Sequence, residues 1–185
     1  MNIAIIGGIG SGKSEVLKVA REMGITAISA DEINAELLKS PEYVAKLAEY
    51  FPDCVVCGVV DKPRLAAEVF SDDAKRALLN GIAHPEIARR IAGCDANPLV
   101  AELPLVLESG LADMFDEIIL VTAPRRTRYK RLEGRGVVAK RARSIMKAQA
   151  PQYKLRRIAT RTIDNSGSIE ALRESARNIL RIFCE

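Results

Sequence analysis

Residues 7–14, Gly-Gly-Ile-Gly-Ser-Gly-Lys-Ser, constrain this chain more than any other stretch. They fit the pattern G-x-x-x-x-G-K-[ST], in which glycines let the backbone curl until successive N–H groups point at phosphate oxygens. Context supports the match. The apolar run from Met1 to Ile6 precedes it as a strand, and a helix-compatible stretch from Ser14 to Arg21 follows. A helix leaving such a loop adds its own N-terminal donors and dipole to the same anion. In this pattern Lys13 reaches the β- and γ-phosphates and the Ser14 hydroxyl ligates Mg²⁺. Gly8, Ile9, Gly10, Ser11, Gly12 and Glu15 complete the expected phosphate-holding stretch. The plain alternative is a glycine-rich turn before a helix, which gives lysine and serine no reason to occupy those two positions.

With 185 residues the chain has the length of one domain, or of one core carrying an inserted lobe. A chain this long buries roughly 70% of its unfolded surface and needs neither disulfide nor metal to hold it. A net charge of +4 suits an anionic substrate and is far too small to argue for nucleic acid. The basic excess is local: from Arg125 to Arg161 there are fourteen Arg or Lys against one Glu. Cys54-Val-Val-Cys57 has the spacing of half a zinc knuckle or a redox pair. No second C-x-x-C accompanies it and His84, the single histidine, is remote, so two thiols in a partly buried β-like run is the expected reading. The N-terminal residues lack the pattern of a signal peptide, and no run approaches the about 18 apolar residues of a spanning helix. A cytoplasmic protein without membrane contact is expected.

Along the chain, Ile3–Ile6 lacks polar alternation, as a central parallel strand covered on both faces does. A helix from Ser14 to Met23 ends at Gly24, and Ile25–Ile28 forms a second strand, giving a βαβ unit. From Glu32 to about Asp95 the pattern is mainly helical, with stretches at 32–38, 42–50, 64–69, 72–82 and 85–91. Pro41, Pro52, Pro63 and Pro85 punctuate that block, each expected near a helix start or in a connection. Leu99–Leu107 and Glu117–Thr122 read as further parallel strands. Two arginine-rich helices, Pro124–Arg135 and Lys140–Ala150, flank a short turn and read as a lid. Thr160–Ile163 is a last strand, and Ser168 caps a final helix from Ile169 to Phe183 with one apolar stripe. The sum is α/β, with helices on both sides of a parallel sheet.

Several side chains have the chemistry for phosphoryl transfer. Asp31 follows the second strand at the sheet edge where ligands bind in this architecture, and a carboxylate there can orient an attacking hydroxyl and take its proton. It also suits a helix N-cap, and the two roles are not exclusive. Glu108, at the end of the Leu99–Leu107 strand, reads as a Mg²⁺-associated or basic-side-chain partner, or as a structural edge carboxylate. Arg128, Arg131 and Arg135 share one helical face, with phosphate contact expected chiefly of Arg131 and Arg135. His84 reads as a hydrogen-bonding group of a substrate lobe or as a core histidine. Asp164-Asn165-Ser166-Gly167 is either a turn or, through Asn165 and Gly167, part of an adenine pocket.

Together these segments resemble the dephospho-coenzyme A kinase family over essentially the whole chain. Ile6 to Ser14 looks like that family's phosphate loop, and Asp31 matches the presumed base in Ser29-Ala30-Asp31. The run from Phe51 through Gly58, Asp61, Leu65 and Val69-Phe70 is similar to its substrate lobe. His84-Pro85 with Ile87, Leu103–Glu108, Arg131-Leu132, Arg135-Gly136, Gln149 and Ile163–Gly167 follow in the family's order. Departures fall at Ser29, Glu15 (commonly Thr), Ala35, Lys62 (commonly Arg), Arg128 (commonly Gln) and Ala159-Thr160.

The resemblance implies a three-layer α/β/α P-loop kinase fold with a parallel five-stranded sheet, a helical substrate lobe and an arginine-rich lid. Residues 1–31, 96–124 and 159–185 would form the core, 32–95 the inserted lobe and 125–150 the lid. It implies transfer of the γ-phosphate of ATP, with Mg²⁺, to the 3′-hydroxyl of dephospho-CoA, by a monomer or weak homo-oligomer. Lys13, Asp31, Arg131 and Arg135 would be catalytic, and Asp31, Lys62, Leu65, His84, Leu105 and Glu108 would bind the acceptor. The rivals are a kinase of another small molecule and an ATP-binding regulatory homologue without catalysis. Nucleic-acid binding through residues 125–161 is a distant third.

Overall fold

A computed structural model describes residues 1–184; the side chains of Ser71 and Glu108 lie outside the described parts. The strands are β1 (Asn2–Ile6), β2 (Thr26–Ser29), β3 (Val55–Val56), β4 (Val59–Val60), β5 (Leu99–Leu103), β6 (Glu117–Thr122) and β7 (Arg161–Asp164). The helices are α1 (Lys13–Glu22), α2 (Ala30–Leu37), α3 (Pro41–Tyr50), α4 (Lys62–Ser71) and α5 (Asp73–Ala92). They continue with α6 (Val106–Ser109), α7 (Arg125–Gly134), α8 (Ala139–Ala148), α9 (Gln152–Ile158) and α10 (Ile169–Arg181). By contact the chain divides into two compact units, Met1–Ser29 with Asp95–Glu185, and Ala30–Cys94.

The first unit is built on a five-stranded sheet in the order β2-β5-β1-β6-β7, every pairing parallel. β1 takes the centre because Ile3 to Ile6 can be buried on both faces; all four are fully buried. Ile6 pairs with Leu103 on one side and Leu120 on the other, so β1 and β5 end level while β6 runs on to Thr122. β7, at an edge, alternates instead, with Thr162 and Asp164 exposed and Ile163 buried. On one face α1 and α10 pack together. Val16, Val19 and Ala20 meet Leu172, Ala176 and Leu180, the latter three spaced by four residues into one stripe over Ile3, Ile5, Ile119 and Val121. By the pleat Leu120 points to the opposite face, where α9 packs against β6 and Leu155 shares a small cavity with Leu120.

The strand expected over Leu99–Leu107 stops at Leu103. Pro104 has no N–H for the ladder, the chain turns, and Val106–Ser109 becomes a short helix. Helix α9 is an addition to the sequence expectation, starting directly after Pro151, which serves as its N-cap.

The second unit holds helices α2 to α5 and a short hairpin, β3 against β4, with Cys57 and Gly58 at its turn in left-handed conformation. Asp61 and Asp72 cap α4 and α5, accepting from Arg64 N and from Ala74 N and Lys75 N. The two stretches expected at 72–82 and 85–91 are one helix, with Pro85 inside it. An interior proline removes a ladder bond, yet the buried residues Ile82, Ala83, Ile87 and Ile91 continue past it on both sides. Packing of that face outweighs the local penalty.

Leu180 is fully buried in the α1–α10 layer. Leu180→Ala should lower unfolding free energy by about 2–5 kcal/mol in a denaturant titration. A loss below about 1 kcal/mol would show that α10 is not part of the cooperative core.

Candidate active site

The loop leaves β1 at the middle of the sheet, turns through Gly7–Gly12 and enters α1 at Lys13. Its glycines are steric requirements. Gly7 has φ 146, and a Cβ there would lie 2.4 Å from the Val121 carbonyl oxygen of β6. Gly12, the left-handed N-cap of α1, has room for no Cβ because Asn165 Nδ2 would stand 2.3 Å away. The buried Ser11 Oγ has no hydrogen-bond partner among the described residues. A cradle of bare backbone with an unsatisfied hydroxyl fits an anion with several acceptor oxygens.

Beneath the loop sits a buried charge pair. Lys13 and Glu102 are each only 7% exposed, with Nζ 3.7 Å from Oε1. The Ser14 hydroxyl donates to the same Oε1 at 3.3 Å. An uncompensated buried charge is prohibitively costly, so Lys13, Ser14 and Glu102 form one unit that holds the ammonium and hydroxyl at the head of α1. Where a loop serine and a strand carboxylate stand together, they have the donor set that holds Mg²⁺ in P-loop enzymes. Glu102 was not among the expected site residues. Its signal was a lone acid among Leu99, Val100, Ala101 and Leu103, all buried. Glu108, expected at the strand end, falls instead in α6, with its side chain outside the described parts.

Side chains of α7, of the C-cap of α8 and of the β7–α10 turn bolt the loop down. Asn165 is buried; its N–H donates to Thr122 O and its Nδ2 to Ser11 O, both at 2.7 Å. Arg131 Nη2 donates to Asn165 Oδ1 (3.0 Å) and O (3.2 Å), while Nη1 reaches Gly10 O and Ser11 O at 3.4 and 3.5 Å. Arg128 Nε donates to Ile9 O, and Gln149 Oε1 accepts from Ile9 N, both at 2.8 Å. Burial, with the Arg125 charge second, pushes the Arg128 guanidinium below its ordinary pKa. Thus Asn165 and Arg131, expected at adenine and phosphate, spend these groups on the loop backbone. Arg135 stands exposed just after α7, and Gly167 precedes Ser168, whose hydroxyl caps α10 by accepting from Ala171 N. Leu105 is half-buried in the turn before α6, and Glu15 bonds to Arg173 of α10.

The second unit carries the remaining expected residues. Asp31 lies exposed in the first turn of α2, two residues along the chain from the end of β2. Lys62 is exposed at the start of α4, Leu65 is buried in it, and His84 is half-buried in α5. The two thiols of the C-x-x-C stretch are unlike. Cys54 is buried and donates to Glu68 Oε2 at 2.9 Å, whereas Cys57 is exposed at the hairpin turn. Burial, helped by that bond and the Glu68 charge, pushes the Cys54 thiol up to about 11. Among the described residues no group of three or more His, Cys, Asp or Glu is arranged to hold a metal ion.

Residues 1–171 match the family model for dephospho-CoA kinase. A dephospho-CoA kinase of Deinococcus radiodurans is 36% identical over 183 residues, covering 92% of this chain and 86% of that protein. One of Mycolicibacterium paratuberculosis is 37% identical over 188 residues, and the match spans 97% of this chain but 46% of that longer relative. In fold, the chain is similar to TT1252 from Thermus thermophilus, with TM-score 0.84 and 32% identity, covering 98% of this chain and 97% of that one.

Asn165→Ala removes the closest donor to the Ser11 carbonyl and one acceptor of Arg131, and should cost about 1–3 kcal/mol of stability by chemical denaturation. An unchanged midpoint would mean that the loop is held without it. In thiol labelling at pH 8, a thiol with its pKa near 11 stays protonated while an exposed one reacts. Cys57→Ser should therefore remove a fast-reacting thiol, and Cys54→Ser should leave the fast phase intact. The opposite pattern would contradict this burial.

Proposed function

The chain belongs to the dephospho-CoA kinase family, and on that premise we propose that it transfers the γ-phosphate of ATP to the 3′-hydroxyl of dephospho-CoA. The products are CoA and ADP, and the reaction closes coenzyme A synthesis. The observation that carries this reading is the buried Lys13–Glu102–Ser14 unit at the head of α1.

In the reaction an acceptor oxygen–phosphorus bond forms as the bond from the γ-phosphorus to the ADP oxygen breaks. The glycine-rich loop and Lys13 hold the donor phosphates, with Lys13 kept in place by Glu102. Ser14 and Glu102 would hold Mg²⁺, which when bound neutralises charge developing between the β- and γ-phosphates. Asp31 orients the acceptor hydroxyl and takes its proton, which then passes to solvent. Arg131 and Arg135 supply positive charge to the transferring group. Arg131, held by the loop carbonyls, does so from a fixed position; exposed Arg135 does so on closure of residues 125–150.

Residues 32–95 serve as the acceptor lobe, with Lys62, Leu65 and His84 contributing to binding. Residues 125–150 serve as the lid. In this reading the enzyme works on small molecules in the cytoplasm; among the described residues no helix is long and apolar enough to cross a membrane.

ADP release from Mg²⁺-ATP should rise strongly when dephospho-CoA is added, with a 3′-phosphate on the product. Stimulation by another nucleoside, nucleotide or sugar instead would replace the acceptor, and ATP binding without any stimulation would leave a regulatory nucleotide-binding protein. Asp31→Asn should cut turnover by about 10²–10⁴-fold with ATP affinity nearly unchanged. Wild-type turnover in that variant would remove Asp31 from the mechanism.

A further inference from the structure

Glu15 is an unusual neighbour for a polyphosphate. With Gly12 as N-cap of α1, Lys13 and Ser14 take the first two helical positions and Glu15 the third. A carboxylate at this third position is placed to reach back to the N-cap backbone N–H, as in a capping box. It is also favoured there by the positive end of the helix dipole. Both attractions belong to the donors and field that a phosphate group needs. Left to itself, Glu15 competes with the nucleotide for the head of α1, where a second acid, Glu102, is already bonded to Lys13 and Ser14.

Among the described residues no bond runs from the Gly12 N–H back to Glu15, whose carboxylate is engaged elsewhere. Its carboxylate accepts from Arg173 Nη1 of α10, while Arg173 Nη2 donates to Glu22, seven residues further along α1. The Arg173 and Glu15 side chains are 21% and 23% exposed, so solvent only partly screens their attraction. The bond to Glu15, with the Glu22 charge behind it, raises the Arg173 pKa above its ordinary value, keeping the guanidinium charged at any working pH.

We propose that Arg173 is a positioning residue of the nucleotide site, which draws the Glu15 carboxylate onto α10 and so keeps the head of α1 free for the donor phosphates. The inference rests on the nucleotide reading of the loop. It assigns Arg173 an effect on nucleotide affinity, which a simple α1–α10 staple would not have. The Glu22 half of the bridge is the staple.

The test is the dissociation constant of Mg²⁺-ATP for four forms of the full chain, each with its melting temperature. Arg173→Gln should weaken binding by about tenfold, because the released carboxylate competes at the loop. Glu15→Ala added to it should restore affinity to within about twofold of wild type, since no carboxylate remains to be held. Glu22→Gln should lower the melting temperature and leave ATP affinity unchanged. Should R173Q be too unstable to assay, Arg173→Lys carries the same test. It offers a compact ammonium in place of a fork to two carboxylates, so affinity falls by about two- to threefold and Glu15→Ala again restores it. Unchanged ATP affinity in R173Q, or a double variant as weak as R173Q, would overturn the inference and leave a staple. Failure of the wild-type chain to bind ATP would instead overturn the nucleotide reading, and the inference with it.

Discussion

A lysine left only 7% exposed is the constraint on which this structure turns, because its ammonium needs a fixed counter-charge to exist there at all. Glu102 supplies it, and Glu102 can be fixed only by standing in a strand whose other residues are all buried. β1 and β5 must therefore be neighbours in strict register, and their pairing from Asn2–Leu99 to Ile6–Leu103 meets that demand. Level strand ends then place loop, serine and carboxylate at one edge. The sheet order thus serves the charge pair as much as the hydrophobic core.

Glycines make the loop possible but do not make it rigid. Rigidity comes from four side chains distant in sequence, Arg128, Arg131, Gln149 and Asn165, which take up polar groups of residues 9–11. The carbonyls of such a tight turn cannot all find backbone partners, and guanidinium and amide groups satisfy them without adding negative charge near an anion site. The Glu15–Arg173 pair follows the same logic from the other side, since it takes a negative charge out of play.

What the sequence disclosed follows from how local each signal is. The loop was legible because spacing and residue type carry the whole message between Gly7 and Ser14. The central strands were legible as apolar runs, and the α10 stripe as a four-residue repeat of Leu172, Ala176 and Leu180. Pro85 misled because its local cost is real, and only the burial of Ile82, Ile87 and Ile91 reveals why the helix runs through it. Glu102 was overlooked because its meaning is a contact with a residue 89 positions earlier, whereas Glu108 advertised itself by following an apolar run. Arg131 and Asn165 stood out by residue type, but their partners in the loop backbone did not, since donor capacity is written in a side chain and its acceptor is not.

The bond from Asn165 to Ser11 closes a separation of 154 residues. Contacts of that span form late, because the chain between must be ordered before the contact repays its entropy. However early a ribosome delivers the glycine-rich motif, its working shape waits for a residue made near the other end of the fold. A nascent chain therefore carries the motif long before it has the site. The proposed nucleotide site is complete only once the sheet that supports the loop has been built through β7.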